Sequence, residues 1–222
     1  MTGRHRAPAQ PQPAARVLHV CAANQCRSVI AEAAMRRLLS ERGVLTRSSD
    51  AGVAPDGAVV VGGAGLHTSG GQPVWPPVTQ LLAQQGLSSS GPSGPSRRLV
   101  PAMLAEADLV LVATRALRDE LVAQAPSALA AAVQRRTFTW RELAWLLAEV
   151  DPTTLAGDDA PSRIRELPAL AATRRGQAVA PPGDELDVAD PVERAVELEV
   201  AAAAIVAALR VVVDVAVPLP AA

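Results

Sequence analysis

Residues 17–20, Val-Leu-His-Val, form a short, mostly apolar run, the pattern of a strand buried in a parallel sheet. From Ser28 the apolar residues Ile30, Ala34, Leu38 and Leu39 recur at helical spacing, while Arg36, Arg37 and Glu41 fall on the face left for water. A strand therefore ends at Cys21, a loop of six residues follows, and a helix starts near Ser28. Gly43 closes this unit, and a second strand is expected within 44–53. Residues 54–73 are glycine-rich and contain Val59-Val60-Val61-Gly62-Gly63-Ala64-Gly65. They do not make G-x-G-x-x-G, because Thr68 stands at the third position, and they read as a mobile loop.

Residues 77–85 predict a helix ended by Gly86, and 87–96 a Ser/Gly/Pro connector. A helix to Ala107 leads into a third strand over 108–114, a helix over 117–124 and a fourth strand over 133–138. Thr139 and Glu142 predict a capping box opening a helix to Leu147, with Trp140 and Trp145 as core contacts. Residues 151–185, with a short helical piece near 163–172, read as a long connector, either a lid or a surface excursion. An Ala-rich helix follows Pro191 and runs to about Leu209.

Four strands alternating with helices predict an α/β fold, a doubly wound four-stranded parallel sheet with helices on both faces, spanning 16–210. Residues 1–15, rich in Pro, Ala and Arg, predict a disordered tail without the apolar core of a signal peptide, and 211–222 a C-terminal tail. The most apolar stretch, 200–217, is interrupted by Arg210 and Asp214, so no membrane span is expected.

The first strand, loop and helix carry Cys21, Cys26 and Arg27, with Cys21 and Arg27 in C-x5-R spacing. A tight loop entering a helix N-terminus aims backbone N–H groups at one point, and the helix dipole adds positive potential there. A phosphate or arsenate dianion fits that cradle, and Arg27 can grip two of its oxygens. The same field favours the thiolate of Cys21, an in-line nucleophile toward a bound phosphoryl group, and Ser28 can bond its sulfur or cap the helix.

The segment Val20-Cys21-Ala22-Ala23-Asn24-Gln25-Cys26-Arg27-Ser28, followed by Ala31-Glu32, closely resembles the signature of the low-molecular-weight protein tyrosine phosphatases, V-C-x-G-N-x-C-R-S-P and then A-E. Ala23 stands where the family usually has Gly, placing a Cβ in a loop that can require positive φ, and Val29 where it usually has Pro. Ser49-Asp50-Ala51-Gly52 loosely matches the family's S-A-G, although Ser48 and Ser49 also suit an ordinary turn. Ser96-Arg97-Arg98-Leu99 resembles its S-R-x-L, with solvated helix-end charges as the plainer reading of the arginines. Asp187-Val-Ala-Asp190-Pro191 matches D-x-x-D-P, whose second aspartate serves as general acid; Asp before Pro is also a favoured helix cap.

The resemblance implies strand order 2-1-3-4, Cys21, Arg27 and Asp190 as catalytic residues, and residues Ala22, Ala23, Asn24, Gln25, Cys26, Arg27 and Ser28 as the phosphate cradle. It implies a phosphomonoesterase of protein tyrosine type, acting through a cysteinyl-phosphate with no metal or cofactor. The substrate would be a phosphorylated protein or small phosphomonoester, and inorganic phosphate a product. Sharing one short loop, Cys26 is expected as the redox partner of Cys21. In the resembling family the region of 54–73 borders the mouth of the site, so His67 or Trp75 can touch substrate, with a packed surface anchor as the plainer reading of Trp75 between prolines. Two readings compete. A low-molecular-weight-thiol-dependent arsenate reductase uses the same loop, and the thioredoxin-coupled kind is disfavoured because no cysteine follows Cys26. A catalytically weak anion-binding module would also keep the loop. Val192 and Glu193 stand where relatives often carry aromatics, so stacking from that side is lost.

Composition adds exclusions. The chain has 222 residues and a net charge of −1, which attracts neither nucleic acid nor an acidic membrane. All its basic residues are Arg, with no Lys, which beside so much Ala reads as a genomic base bias. Two cysteines make no disulfide scaffold, and His5, His19 and His67 show no zinc-ligand spacing with them. A working thiolate points to a reducing cytoplasm.

Overall fold

The apolar run near the start of the chain becomes the central strand of a five-stranded sheet. The structure, a computed structural model, describes residues 13–49, 52–87, 94–177, 181, 185–192 and 197–218. Strand β1 (Ala15–Cys21) turns directly into helix α1 (Arg27–Ser40). Then come β2 (Thr46–Ser48), β3 (Val59–Gly65), α2 (Pro76–Gln84), α3 (Pro101–Glu106), β4 (Leu109–Val112), α4 (Arg115–Gln124), α5 (Ser127–Arg136), β5 (Thr137–Thr139), α6 (Trp140–Leu147), α7 (Ala160–Arg175) and α8 (Leu198–Ala216). The order is β2-β3-β1-β4-β5, and every pairing is parallel. Helices cover both faces: Val17 and Cys21 pack with α1, α6, α7 and α8, and Leu18 and Val20 pack with Leu104, Leu121 and Val133 of α3, α4 and α5. Connections leave β1 toward one sheet edge and β4 toward the other, so a crevice opens at their carboxyl ends.

The expected sheet had four strands in the order 2-1-3-4; the fifth is β3, inserted between β1 and the expected second strand. Its sequence, VVVGGAG, lies within the stretch read as a mobile loop, yet all seven residues are buried. The glycines are there because neighbours come too close for a side chain. A Cβ at Gly62 would collide with Ser49 Oγ, at Gly63 it would stand 2.9 Å from Asn24 Nδ2, and at Gly65 2.7 Å from the Ala23 carbonyl carbon. Glycine inside a strand marks such an approach as readily as it marks a loop.

Other boundaries moved as well. Residues 133–136 belong to α5, and the last strand is only Thr137–Thr139. The connector over 151–185 contributes the 16-residue helix α7, whose Ile164, Leu167 and Ala171 are buried. Helix α8 continues to Ala216, burying Val212, Val213 and Val215 where a tail was expected. No described helix is long and apolar enough to cross a membrane. The capping box at α6 forms as expected: Glu142 N–H donates to Thr139 Oγ1 (3.0 Å) and Thr139 N–H to Glu142 Oε2 (3.2 Å). Trp140 is fully buried and Trp145 packs on the core.

Trp140 also anchors a buried histidine. Its Nε1–H donates to His19 Nδ1 (3.0 Å), which leaves the imidazole proton on Nε2, where it has no acceptor. Burial lowers the His19 pKa to about 3. The unfolded chain therefore takes up a proton below pH 6.5 or so that folded His19 refuses, and stability present above that pH is lost as pH falls toward 3. In urea unfolding, wild type is expected to lose roughly 2 kcal/mol more than His19→Gln between about pH 7.5 and about pH 5; equal losses would refute this assignment.

Gly65→Ala tests the close approach of β3 to the β1–α1 loop. The added methyl meets backbone atoms of Ala22 and Ala23, which cannot rotate away. A loss of about 1–3 kcal/mol in urea unfolding is expected, together with weakened oxyanion binding as the loop shifts.

Candidate active site

Cys21 ends β1 with its side chain buried at the crevice. The chain then turns through one left-handed residue, Asn24 (φ 55°), before α1 begins. Asparagine tolerates this conformation better than most residues. Ala23, the departure from the family's glycine, has no positive φ, so its Cβ brings none of the strain anticipated for it.

A directed chain of hydrogen bonds converges on the sulfur. The Arg97 N–H donates to Asn24 Oδ1 (2.8 Å), which fixes the amide so that Nδ2 donates to Ser28 Oγ (2.9 Å). With its oxygen accepting, Ser28 has its own proton left to give to Cys21 Sγ, 3.1 Å away. The Asn24 N–H also donates to that sulfur (3.3 Å). Both donors point at the sulfur. Ser28 is thus a sulfur ligand, and Cys26 occupies the N-cap of α1 without a side-chain cap bond. The Cys26 thiol is pushed up to about 12, chiefly by burial and then by the charges of Cys21 and Asp190, so Cys26 stays protonated.

Arg27 opens α1 and is only 4% exposed. Its Nη1 donates to the Val188 carbonyl (2.9 Å), its Nη2 pairs with the Asp190 carboxylate, and its Nε–H is buried without an acceptor. The structure thus brings Cys21, Arg27 and Asp190 together from opposite ends of the chain. They line a pocket of about 220 Å³ with Ala22, Ala23, Gln25, Cys26, Trp75 and Val192. Trp75 supplies an aromatic wall, tied to the loop by its N–H bond to the Gln25 carbonyl (3.0 Å). The aromatic surface missing after Pro191 is therefore provided from another segment. His67 borders the site from another side: its backbone N–H donates to the Ala22 carbonyl (2.8 Å), its ring bonds to Glu120 (2.8 Å), and it lines an adjoining pocket of about 370 Å³ with Ala22, Arg27 and Asp190.

The aspartates of D-x-x-D-P separate by partner. Asp187 Oδ1 accepts from the Arg115 N–H (2.8 Å) at the start of α4. Asp190 is not the cap of the last helix, which begins at Leu198 with Glu197 before it; its Oδ1 accepts from the Val192 N–H (3.0 Å) in a local turn. Glu193, Asp50 and Ala51 lie outside the described residues.

Arg97 is the contributor that the sequence left as a surface charge. Besides holding Asn24, it donates through Nη1 to Ser49 Oγ (2.5 Å) and through Nη2 to the Gly63 carbonyl (2.6 Å), and its carbonyl accepts from the Gly65 N–H (2.8 Å). It belts the ends of β2 and β3 to the loop. Ser49, read as a turn residue, is part of that belt. The S-R-x-L resemblance was the available signal.

Several solved structures share this fold. Low Molecular Weight Phosphotyrosine phosphatase VcLMWPTP-2 from Vibrio cholerae O395 is 18% identical with TM-score 0.58, the match covering 90% of this chain and 95% of that one. The Low Molecular Weight Protein Tyrosine Phosphatase from T. tengcongensis is 20% identical with TM-score 0.56, covering 90% and 99%. The YwlE arginine phosphatase from Geobacillus stearothermophilus is 22% identical with TM-score 0.50, covering 90% and 89%. At these identities the likeness is one of fold. Among curated proteins none matches the sequence. The family assignment comes from residues 16–143, which match the low molecular weight phosphotyrosine protein phosphatases, and the chain belongs to that family.

Proposed function

We propose that this protein hydrolyses phosphomonoesters, with an aryl phosphate such as phosphotyrosine as the favoured substrate. The observation that carries the reading is Arg27, a buried guanidinium with an unsatisfied Nε–H beside Cys21 at the mouth of a strand–loop–helix turn. A buried cation with a spare donor suits a tetrahedral dianion. Residues 22–28 cradle the phosphoryl oxygens. Asp190, having left Arg27 and taken up a proton as substrate binds, serves as the acid: Cys21 Sγ attacks phosphorus in line, the phosphorus–oxygen ester bond breaks, and Asp190 gives that proton to the leaving oxygen. Asp190 then takes a proton from water, which attacks the cysteinyl-phosphate and releases inorganic phosphate while Cys21 regains the sulfur electrons. These steps use side chains and backbone amides of this chain. Trp75 offers an aromatic face to an aryl leaving group; the guanidino group of phosphoarginine, the rival raised by the YwlE fold relative, is planar too, and comparative hydrolysis separates the two. Two free cysteines suit a reducing compartment, the cytoplasm.

Hydrolysis of aryl phosphates, set beside phosphoarginine hydrolysis and thiol-dependent arsenate reduction, tests the assignment. Cys21→Ser is expected to abolish turnover yet still bind vanadate, and Cys26→Ser to keep much of the activity; wild-type turnover in Cys21→Ser would refute the covalent route. Asp190→Asn is expected to slow phenyl phosphate by about 10²–10⁴-fold and nitrophenyl phosphate less, because a stable leaving group needs little protonation. A larger, leaving-group-dependent loss in Asp187→Asn would transfer the acid role to Asp187.

Oxidation is the second expectation. Peroxide converts Cys21 to the sulfenic acid with loss of water, and condensation with Cys26 releases a second water and forms a disulfide. Oxidation also removes the Cys21 charge that helps to hold the Cys26 thiol up. Intact mass and alkylation after mild peroxide should show a reducible Cys21–Cys26 link; sulfinic acid on Cys21 with Cys26 free would refute it.

A further inference from the structure

The loop over 187–190 is rooted firmly at one end. The Val188 N–H donates to the Ala113 carbonyl (2.8 Å), Val188 is buried, and Asp187 is held by the Arg115 N–H. From that root the loop spends its next polar groups on Arg27: the Val188 carbonyl on Nη1 and the Asp190 carboxylate on Nη2. The carboxylate is oriented for this, since its second oxygen is taken by the Val192 N–H. Both terminal nitrogens of the guanidinium are therefore engaged, and only Nε lacks an acceptor. Arg27 is expected to hold a tetrahedral dianion through two donors, and the donor paired with Nε along its edge is Nη2. A dianion arriving there meets an anion already seated on that nitrogen, in a largely dehydrated site where like charges repel strongly.

We propose that Asp190 is a built-in competitor for the oxyanion: in the unliganded protein its carboxylate occupies Arg27, and a phosphoryl group binds by displacing it. The proposal rests on the phosphatase reading above and adds a regulation of the same site. The loop beyond Val188 has one position on Arg27 when the cradle is empty and another when it is filled. The residue that serves the leaving group becomes available only when a tetrahedral anion has taken its place. The contact lowers affinity for inorganic phosphate, the product, which must win the same exchange.

Tungstate, an inert tetrahedral oxyanion, separates binding from turnover. In calorimetric titration of the full chain, Asp190→Asn is expected to bind tungstate about tenfold tighter or more than wild type, because the amide keeps the shape and loses the competing charge. Asp187→Asn, which removes the same charge from a carboxylate held by Arg115, should change affinity less than about threefold. With phenyl phosphate, Asp190→Asn should lower both kcat and KM. Hydrogen exchange adds a readout of the loop: tungstate should speed exchange of the Val192 amide in wild type, since Asp190 leaves Arg27 and its turn loosens. Unchanged or weaker tungstate binding by Asp190→Asn would overturn the proposal, as would an equal gain in Asp187→Asn, which would reduce the effect to net charge. Tungstate binding by Asp190→Asn with none detectable in wild type would support it in its strongest form. Failure of all these proteins to bind tungstate, or undiminished binding in Arg27→Ala, would instead remove the oxyanion site and with it the phosphatase reading.

Discussion

The left-handed backbone at Asn24 is the constraint on which the carboxyl end of this sheet depends. That conformation costs on the order of 1 kcal/mol for a residue with a side chain. Here it is offset by three hydrogen bonds made by the same residue: its N–H to Cys21 Sγ, its Nδ2 to Ser28 Oγ and its Oδ1 from the Arg97 N–H. Glycine would suit the backbone and lose the two side-chain bonds. Aspartate would keep the acceptor and lose the donor to Ser28. Only an amide both receives from Arg97 and passes a donor on toward the sulfur.

Strand β3 makes the space for that turn. Asn24 lies over Gly63, and Ala22 and Ala23 lie over Gly65, at distances that exclude a methyl group. The glycines weaken β3 by their own propensity, yet the strand is held by β1 and β2 on its two sides and by Arg97 at its end. A segment whose second half is only glycine and alanine thus sits beside the centre of the sheet because tertiary contacts outweigh local preference. What it lacks in side chains is filled by Asn24, Ser49 and Arg97.

Electrostatics organises the opposite wall of the site. Arg27 is almost fully buried, and a buried guanidinium without partners would be strongly destabilising. The loop over 187–190 answers with a carbonyl from Val188 and a carboxylate from Asp190, while Asp187, three residues before, turns to Arg115. Two aspartates close in sequence therefore do different work. Asp187 fixes the loop to α4, and Asp190 meets Arg27 in the pocket that Cys21 lines.

Much of this is legible in the amino-acid sequence. The apolar run of β1, the helical spacing of α1, the capping box of α6 and the C-x5-R turn are local patterns, whose causes lie within a few residues of one another. By itself the sequence determined these elements, the parallel α/β class, and the turn that places Cys21 beside a helix N-terminus. The tertiary structure alone decided that VVVGGAG is a buried strand, that residues 133–136 are helical, that Trp75 walls the pocket and that Arg97 belts the loop. It alone decided that Asp190 meets Arg27 rather than capping a helix. The physical reason is range. A glycine's closeness to Asn24, or an aspartate's pairing with Arg27 across a separation of 163 residues, depends on packing between distant segments, and no local pattern records it.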